Sequence, residues 1–148
     1  MFFFKPKFWD VNKISFLSFF LILVSLLFMQ IHLFSLFMNK VNIFSIPIIC
    51  VGNIYLGGTG KTPLCIEIYS ILKKLNMNPV FIRKKYESFE DEANLQKNFG
   101  ILYQNKKRSV AIKEAIKNKA DVAIMDDGFQ DFSISKNLSI ICFNEKQW

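Results

Sequence analysis

A glycine-rich run, Gly57-Gly58-Thr59-Gly60-Lys61-Thr62, stands between an apolar segment and a stretch of helical periodicity, and few folds accommodate that order. Upstream, Ile46-Pro47-Ile48-Ile49-Cys50-Val51 is a short continuous apolar run, the pattern of a parallel strand covered on both faces. Pro47 suits the start of such a strand rather than its middle. Downstream, Leu64, Ile68, Ile71, Leu72 and Leu75 share one face of a helix that begins near Lys61. Pro63 falls in its first turn, where a missing N–H does no harm. Strand, glycine turn and helix N-terminus together make a cup for phosphate. The glycines let successive N–H groups turn inward, and the helix adds its partial positive charge. In that arrangement Lys61 reaches the β- and γ-phosphates of a nucleotide, and the Thr62 hydroxyl ligates Mg²⁺. The nucleotide-binding candidates are therefore Tyr55, Leu56, Gly57, Gly58, Thr59, Gly60, Lys61 and Thr62. Tyr55 occupies the place where the commonest form of this loop has its first glycine.

The remainder alternates strand with helix. Residues 76–79 turn into a strand at Val80-Phe81-Ile82, and 84–98 is polar and irregular, with a short helix after Asp91. Ser109 is placed to cap a helix running to about Asn118. Val122-Ala123-Ile124-Met125 reads as a strand ending at Asp126-Asp127, and 138–143 as a further strand. Such alternation implies a parallel sheet with right-handed crossovers and flanking helices, an α/β fold of the P-loop NTPase type. A carboxylate at the C-terminal end of a neighbouring strand is where Mg²⁺ finds its second protein contact, so Asp126 and Asp127 join Thr62 as metal candidates. Sequence does not say which aspartate is nearer. Guanine specificity lacks its Asn-Lys-x-Asp motif, since Asn144-Glu145-Lys146-Gln147 has neither the order nor the aspartate, so ATP is the expected nucleotide.

A second region precedes this domain. Of 148 residues, 51% are hydrophobic and 17 are Phe, many of them ahead of Ile46. From Ile14 to Asn39 no residue is charged, and as a helix this stretch would reach about 39 Å against a hydrocarbon core of about 30 Å. The run is too long for a secretory signal core and has no small-x-small cleavage site near 35–39. Lys5, Lys7 and Lys13 precede it, and a simple span would then send the ATP domain out of the cytoplasm. Ser18, Ser25, His32 and Asn39 recur at seven-residue intervals and gather on one helix face. The expectation is a membrane-associated helix inserted from the cytoplasmic side or lying shallow, with residues 1–44 as that segment and 45–148 as the P-loop domain.

The net charge of +7, from 19 Lys and Arg against 12 Asp and Glu, suits an anionic membrane surface or a phosphorylated substrate. Two basic runs stand out, Arg83-Lys84-Lys85 and Lys106-Lys107-Arg108, without the aromatic interleaving of a nucleic-acid module, so no nucleic-acid partner is expected. Cys50, Cys65 and Cys142 lie far apart in apolar runs and read as buried thiols of a reducing compartment. His32, alone of its kind and inside the apolar stretch, reads as a packing residue.

These motifs resemble the tetraacyldisaccharide 4'-kinases of lipid A synthesis. The resemblance is carried by Ile48-Ile49-Cys50-Val51-Gly52-Asn53 leading into the glycine run and Pro63. It is carried also by Asp126-Asp127-Gly128-Phe129-Gln130, and by an apolar helix set ahead of both. It implies transfer of the ATP γ-phosphate to the 4'-hydroxyl of an acylated glucosamine disaccharide 1-phosphate, giving lipid IVA. The implied place is the cytoplasmic face of the inner membrane of a Gram-negative bacterium. It also implies catalytic roles for Lys61 and Asp127, and for Asp91 as the base, matching the aspartate of the family's Gly-Asp-Glu-Pro motif within Glu90-Asp91-Glu92-Ala93. Read without the resemblance, that acidic triplet is a solvated patch. Arg83-Lys84-Lys85-Tyr86 corresponds loosely to an Arg-Gly-Tyr-Gly stretch, and Asp131 stands where the family usually has histidine. Family members continue well past the equivalent of Trp148, so this chain is expected to be the front part of such a kinase. Two other readings of the loop stay open: a membrane-docked regulatory ATPase, whose usual Lys before the glycines is Leu56 here, and a nucleotide-binding module without catalysis.

Overall fold

The computed structural model describes residues 16–38, 40–53, 60–85 and 90–143. The chain divides into two compact units, Met1–Asn39 and Lys40–Trp148. In the first, α1 spans Phe16–Met38. Its side chains are described at 19–31, 33 and 34, and the large apolar ones are exposed on every side of the helix, Leu27 at 63% and Phe28 at 68% among them. A helix apolar all round has no face that selects water. Of the polar stripe, the described Ser25 turns its hydroxyl inward and donates to the Ile22 carbonyl at 2.8 Å. Ser18, His32 and Asn39 fall outside the described side chains. Among the described residues no helix is long and apolar enough to cross a membrane.

The second unit is a five-stranded sheet, every pairing parallel. In chain order its elements are β1 (Ile48–Asn53), α2 (Lys61–Lys74), β2 (Pro79–Lys84), α3 (Glu90–Phe99), β3 (Leu102–Asn105), α4 (Arg108–Lys117), β4 (Val122–Asp126) and β5 (Leu138–Cys142). Across the sheet the strands run β3-β2-β4-β1-β5, so the chain leaves β1, builds outward to β3, and returns through α4 to lay β4 against β1. This is the expected α/β architecture.

Burial follows the strand period of two. Ile48, Cys50, Val80, Ile82, Ala123 and Met125 join Ala111, Ile112 and Ala115 of α4 in one apolar layer. Val51, Phe81 and Ile124 join Cys65 and Tyr69 of α2 in the other, where the Tyr69 and Phe81 rings stack at 4.7 Å. The small side chains of α4 let that helix settle close on the sheet. Residues ahead of β1 also belong to this unit: Asn42 bridges to Ile134, and its side-chain amide donates to the Ser133 carbonyl at 2.8 Å.

Two elements depart from expectation. β3 was hidden because its residues are half-buried at the sheet edge, where no apolar run is required. α4 begins at Arg108, so Ser109 lies inside its first turn and does not cap it. The Asn105 side chain accepts the Lys107 N–H at 3.1 Å and closes the turn earlier.

Candidate active site

Because β1 and β4 are parallel neighbours with Val51 opposite Asp126, their carboxyl ends emerge side by side. The chain leaves β1 for the glycine loop. Tyr55, Leu56, Gly57, Gly58 and Thr59 lie outside the described residues, which resume at Gly60. Gly60 has φ 79°, a left-handed conformation, and caps α2; nothing lies within 4 Å of where a Cβ would stand. Backbone conformation, rather than crowding, calls for glycine there.

The next two residues reach the ends of the strands. The Lys61 ammonium donates to Asn53 Oδ1 at 2.7 Å and lies 3.7 Å from Asp127 Oδ1. The buried Thr62 hydroxyl donates to Asp126 Oδ2 at 3.3 Å. On β4, Asp126 follows Ile124 by two residues and so faces the α2 side, where Thr62 meets it. Asp126 is only 2% exposed, and a carboxylate so buried must be held by donors. Its Oδ2 receives the Gln96 amide at 2.9 Å, and the Arg83 guanidinium stands 3.9 Å away.

Asp127 differs from its neighbour. Its φ is 54°, its N–H bonds the Val51 carbonyl at 2.8 Å, and its side chain is 61% exposed. The residues after it explain the rest of the motif. A Cβ on Gly128 would stand 2.2 Å from Met125 Cε, and one on Gly52 only 2.5 Å from the Phe129 ring, so this turn packs directly on the end of β1. Arg108 secures it from α4, donating Nη2 to the Asp127 carbonyl at 2.6 Å with Nη1 3.6 Å from Asp131 Oδ2. Beyond Asp127 opens a cavity of about 560 Å³, lined by Lys106, Lys107 and Arg108 on one side and Gln130 and Asp131 on another.

The fold thus brings Lys61, Thr62, Asp126 and Asp127 together. Asp91 stands in the first turn of α3, the helix whose Gln96 reaches Asp126. Sequence reading missed Asn53, Arg83, Gln96 and Arg108. The two arginines had a signal, since each belongs to a basic run, and Asn53 closes the Ile48–Asn53 motif that carries the resemblance; Gln96 had none. Thr62 and Asp126 offer one hydroxyl and one carboxylate, hard oxygens that suit Mg²⁺, which leaves most of its shell to water and phosphate. The three cysteines are free thiols, and burial raises Cys50 and Cys65 above the ordinary thiol range.

Comparison with known proteins adds the family. The model of the tetraacyldisaccharide-1-P 4'-kinase family (LpxK) matches residues 16–148. The tetraacyldisaccharide 4'-kinase of Pelagibacter ubique (strain HTCC1062) is 46% identical over 147 residues, covering 97% of this chain and 46% of that protein. That of Paramagnetospirillum magneticum (strain ATCC 700264 / AMB-1) is 34% identical over 66% of this chain and 35% of its own length. The chain therefore spans less than half the length of these relatives. A crystal structure of LpxK from Aquifex aeolicus in complex with ATP superposes with a TM-score of 0.66 at 21% identity, over 83% of this chain and 46% of that one, and shares the fold. The family match begins at the first residue of α1 and runs to Trp148, and on that footing the chain belongs to the tetraacyldisaccharide-1-P 4'-kinase family.

Proposed function

We propose that this chain carries the nucleotide-binding part of an ATP-dependent lipid kinase that phosphorylates the 4'-hydroxyl of an acylated glucosamine disaccharide 1-phosphate, giving lipid IVA. The observation that carries this reading is the meeting of two pairs at the ends of β1 and β4, Thr62 with Asp126 at 3.3 Å and Lys61 with Asp127 at 3.7 Å. Bound MgATP would supply the phosphoryl group and a divalent charge to neutralise it. Gly60 and the N-terminus of α2 would present backbone N–H groups to the phosphates. Lys61 places its ammonium beside the transferred group, handed over from the Asn53 carbonyl oxygen that holds it in the structure. Thr62 and Asp126 would hold a Mg²⁺ ion, and Asp127, paired with Lys61 at 3.7 Å, stands beside them. Asp91, at the head of α3, takes the proton from the acceptor hydroxyl as that oxygen attacks.

The membrane is the second proposed partner. The large apolar side chains of α1 are exposed, which suits a lipid surface, and a lipid acceptor must be met at the plane of its headgroups. Insertion from the cytoplasmic face of the inner membrane keeps the second unit on the side where ATP is found. The test is transfer of labelled γ-phosphate from ATP to the acylated disaccharide. The reading predicts transfer that Lys61→Ala and Asp91→Asn abolish. Transfer undiminished in Lys61→Ala contradicts it, and ATP binding without transfer favours a nucleotide-binding module.

A further inference from the structure

Helix α3 carries the proposed base, Asp91, yet little holds it to the sheet. It is ten residues of polar sequence, and of its described side chains only Ala93 and Gln96 are buried, while Leu95 and Phe99 stay exposed. Among those side chains Gln96 alone makes a hydrogen bond, its Nε2 donating to Asp126 Oδ2 at 2.9 Å. At the far end of the helix Gly100 packs so closely that a Cβ there would run into the Tyr69 ring. A helix this short is marginal by itself and takes its place from such contacts. Near the active end of α3, the described contact is the one from Gln96 to Asp126.

The Gln96 amide is only half satisfied. A carboxylate accepts and cannot donate, so the nitrogen faces Asp126 and Oε1 is turned away from it. Gln96 is 0% exposed, and its Oε1 has no hydrogen-bond partner. A buried acceptor left unmet is costly, and folded interiors rarely keep one without a donor to fill it. The carboxylate beside it is the one that meets Thr62 at 3.3 Å, the pair whose oxygens suit Mg²⁺. Such an ion keeps several waters, and its charge makes them strong donors. The unmet oxygen therefore stands one amide width from a carboxylate where hydrated cations bind.

We propose that Gln96 is a positioning residue that couples cation binding at Asp126 to the placement of α3, and with it of Asp91. Its nitrogen stays on Asp126 while its Oε1 accepts from a water of the cation's hydration shell, so the helix is steadied when nucleotide arrives with its metal. The cation and the role of Asp91 rest on the kinase reading; the strut rests on the buried amide. The coupling is reciprocal: the factor by which the cation steadies α3 is the factor by which an ordered α3 tightens the cation.

The test follows hydrogen exchange of the α3 amides in three states: the free chain, the chain saturated with a non-hydrolysable ATP analogue and Mg²⁺, and the chain saturated with the analogue in EDTA. Mg²⁺ with the analogue should slow exchange in α3 about tenfold, and the analogue in EDTA should leave it within about twofold of the free chain. Gln96→Met keeps the side chain's bulk and removes both amide groups, so the slowing that depends on Mg²⁺ should vanish. Lys97→Ala, an exposed change on the same helix, should retain it. A glutamine that merely packs would raise exchange in all three states alike and leave the increment intact. The wild-type states need no variant, so they decide the coupling even where Gln96→Met folds poorly. Equal α3 exchange with and without Mg²⁺ at saturating analogue, or full slowing in Gln96→Met, would overturn the coupling and leave nucleotide binding standing. An analogue that does not bind at all would overturn the kinase reading and the coupling together.

Discussion

Adjacent aspartates at the end of β4 have opposite surroundings. Asp126 is sealed under Thr62, Gln96 and Arg83, whereas Asp127 turns out in a left-handed conformation toward Lys61. The pair should therefore respond differently to substitution. Gln96→Leu keeps the volume but removes a donor from a buried carboxylate, and should cost about 1–3 kcal/mol of stability, read by denaturant unfolding. Lowered Mg²⁺ dependence of nucleotide binding in the same variant would mark Gln96 as positioning Asp126; unchanged Mg²⁺ dependence would leave it a packing residue. Gly52→Ala should destabilise by about 1–3 kcal/mol, because its Cβ would meet the Phe129 ring at 2.5 Å. At this scale, what was legible depended on range. Gly60, Lys61 and Thr62 announce their chemistry because it is made by consecutive residues. Gln96 could not be found, since its partner Asp126 lies far along the chain and an amide has no pattern of its own. The separate duties of Asp126 and Asp127 became visible only once α2 and α3 were placed around β4.

Among the elements, α2 and α4 show how ends are made without the usual residues. Asn76, just past α2, takes φ 59°, as asparagine tolerates, while Lys119, past α4, takes φ 61° with a full side chain. Lys119→Gly should raise stability by about 1 kcal/mol, read as a higher unfolding midpoint, because the left-handed conformation no longer carries a Cβ. In α1 the prediction concerns partition rather than folding. Leu27→Arg should lower association with vesicles by roughly 100-fold, as expected for a charge placed in an apolar helix, and unchanged flotation would contradict the proposed membrane role. β1, β2 and β4 were legible as apolar runs because each is covered on both faces. β3 was not, because an edge strand with half-buried side chains leaves no such run. The start of α4 was misplaced for a related reason: Asn105, at the end of that unseen strand, sets it.

The whole α/β unit was legible in class, since alternating strands and helices admit few arrangements, but the strand order that lays β4 beside β1 is a property of the completed sheet. Its core also fixes the behaviour of the thiols. Burial raises Cys65, and likewise Cys50, above the ordinary value of 9.0, so the folded state keeps protons that the unfolded chain releases. Stability from these groups is complete below pH 9 and is lost as pH rises above it, so unfolding midpoints should fall on the alkaline side. At neutral pH, alkylation of Cys50 and Cys65 should await unfolding; rapid labelling of the native chain would contradict the packing. The site these layers support is most directly tested by titrating MgATP into the chain. Saturable binding is predicted, weakened about 10- to 100-fold by Lys61→Ala and stripped of its Mg²⁺ dependence by Thr62→Ala. Affinity unchanged in Lys61→Ala would contradict a nucleotide phosphate site at the ends of β1 and β4.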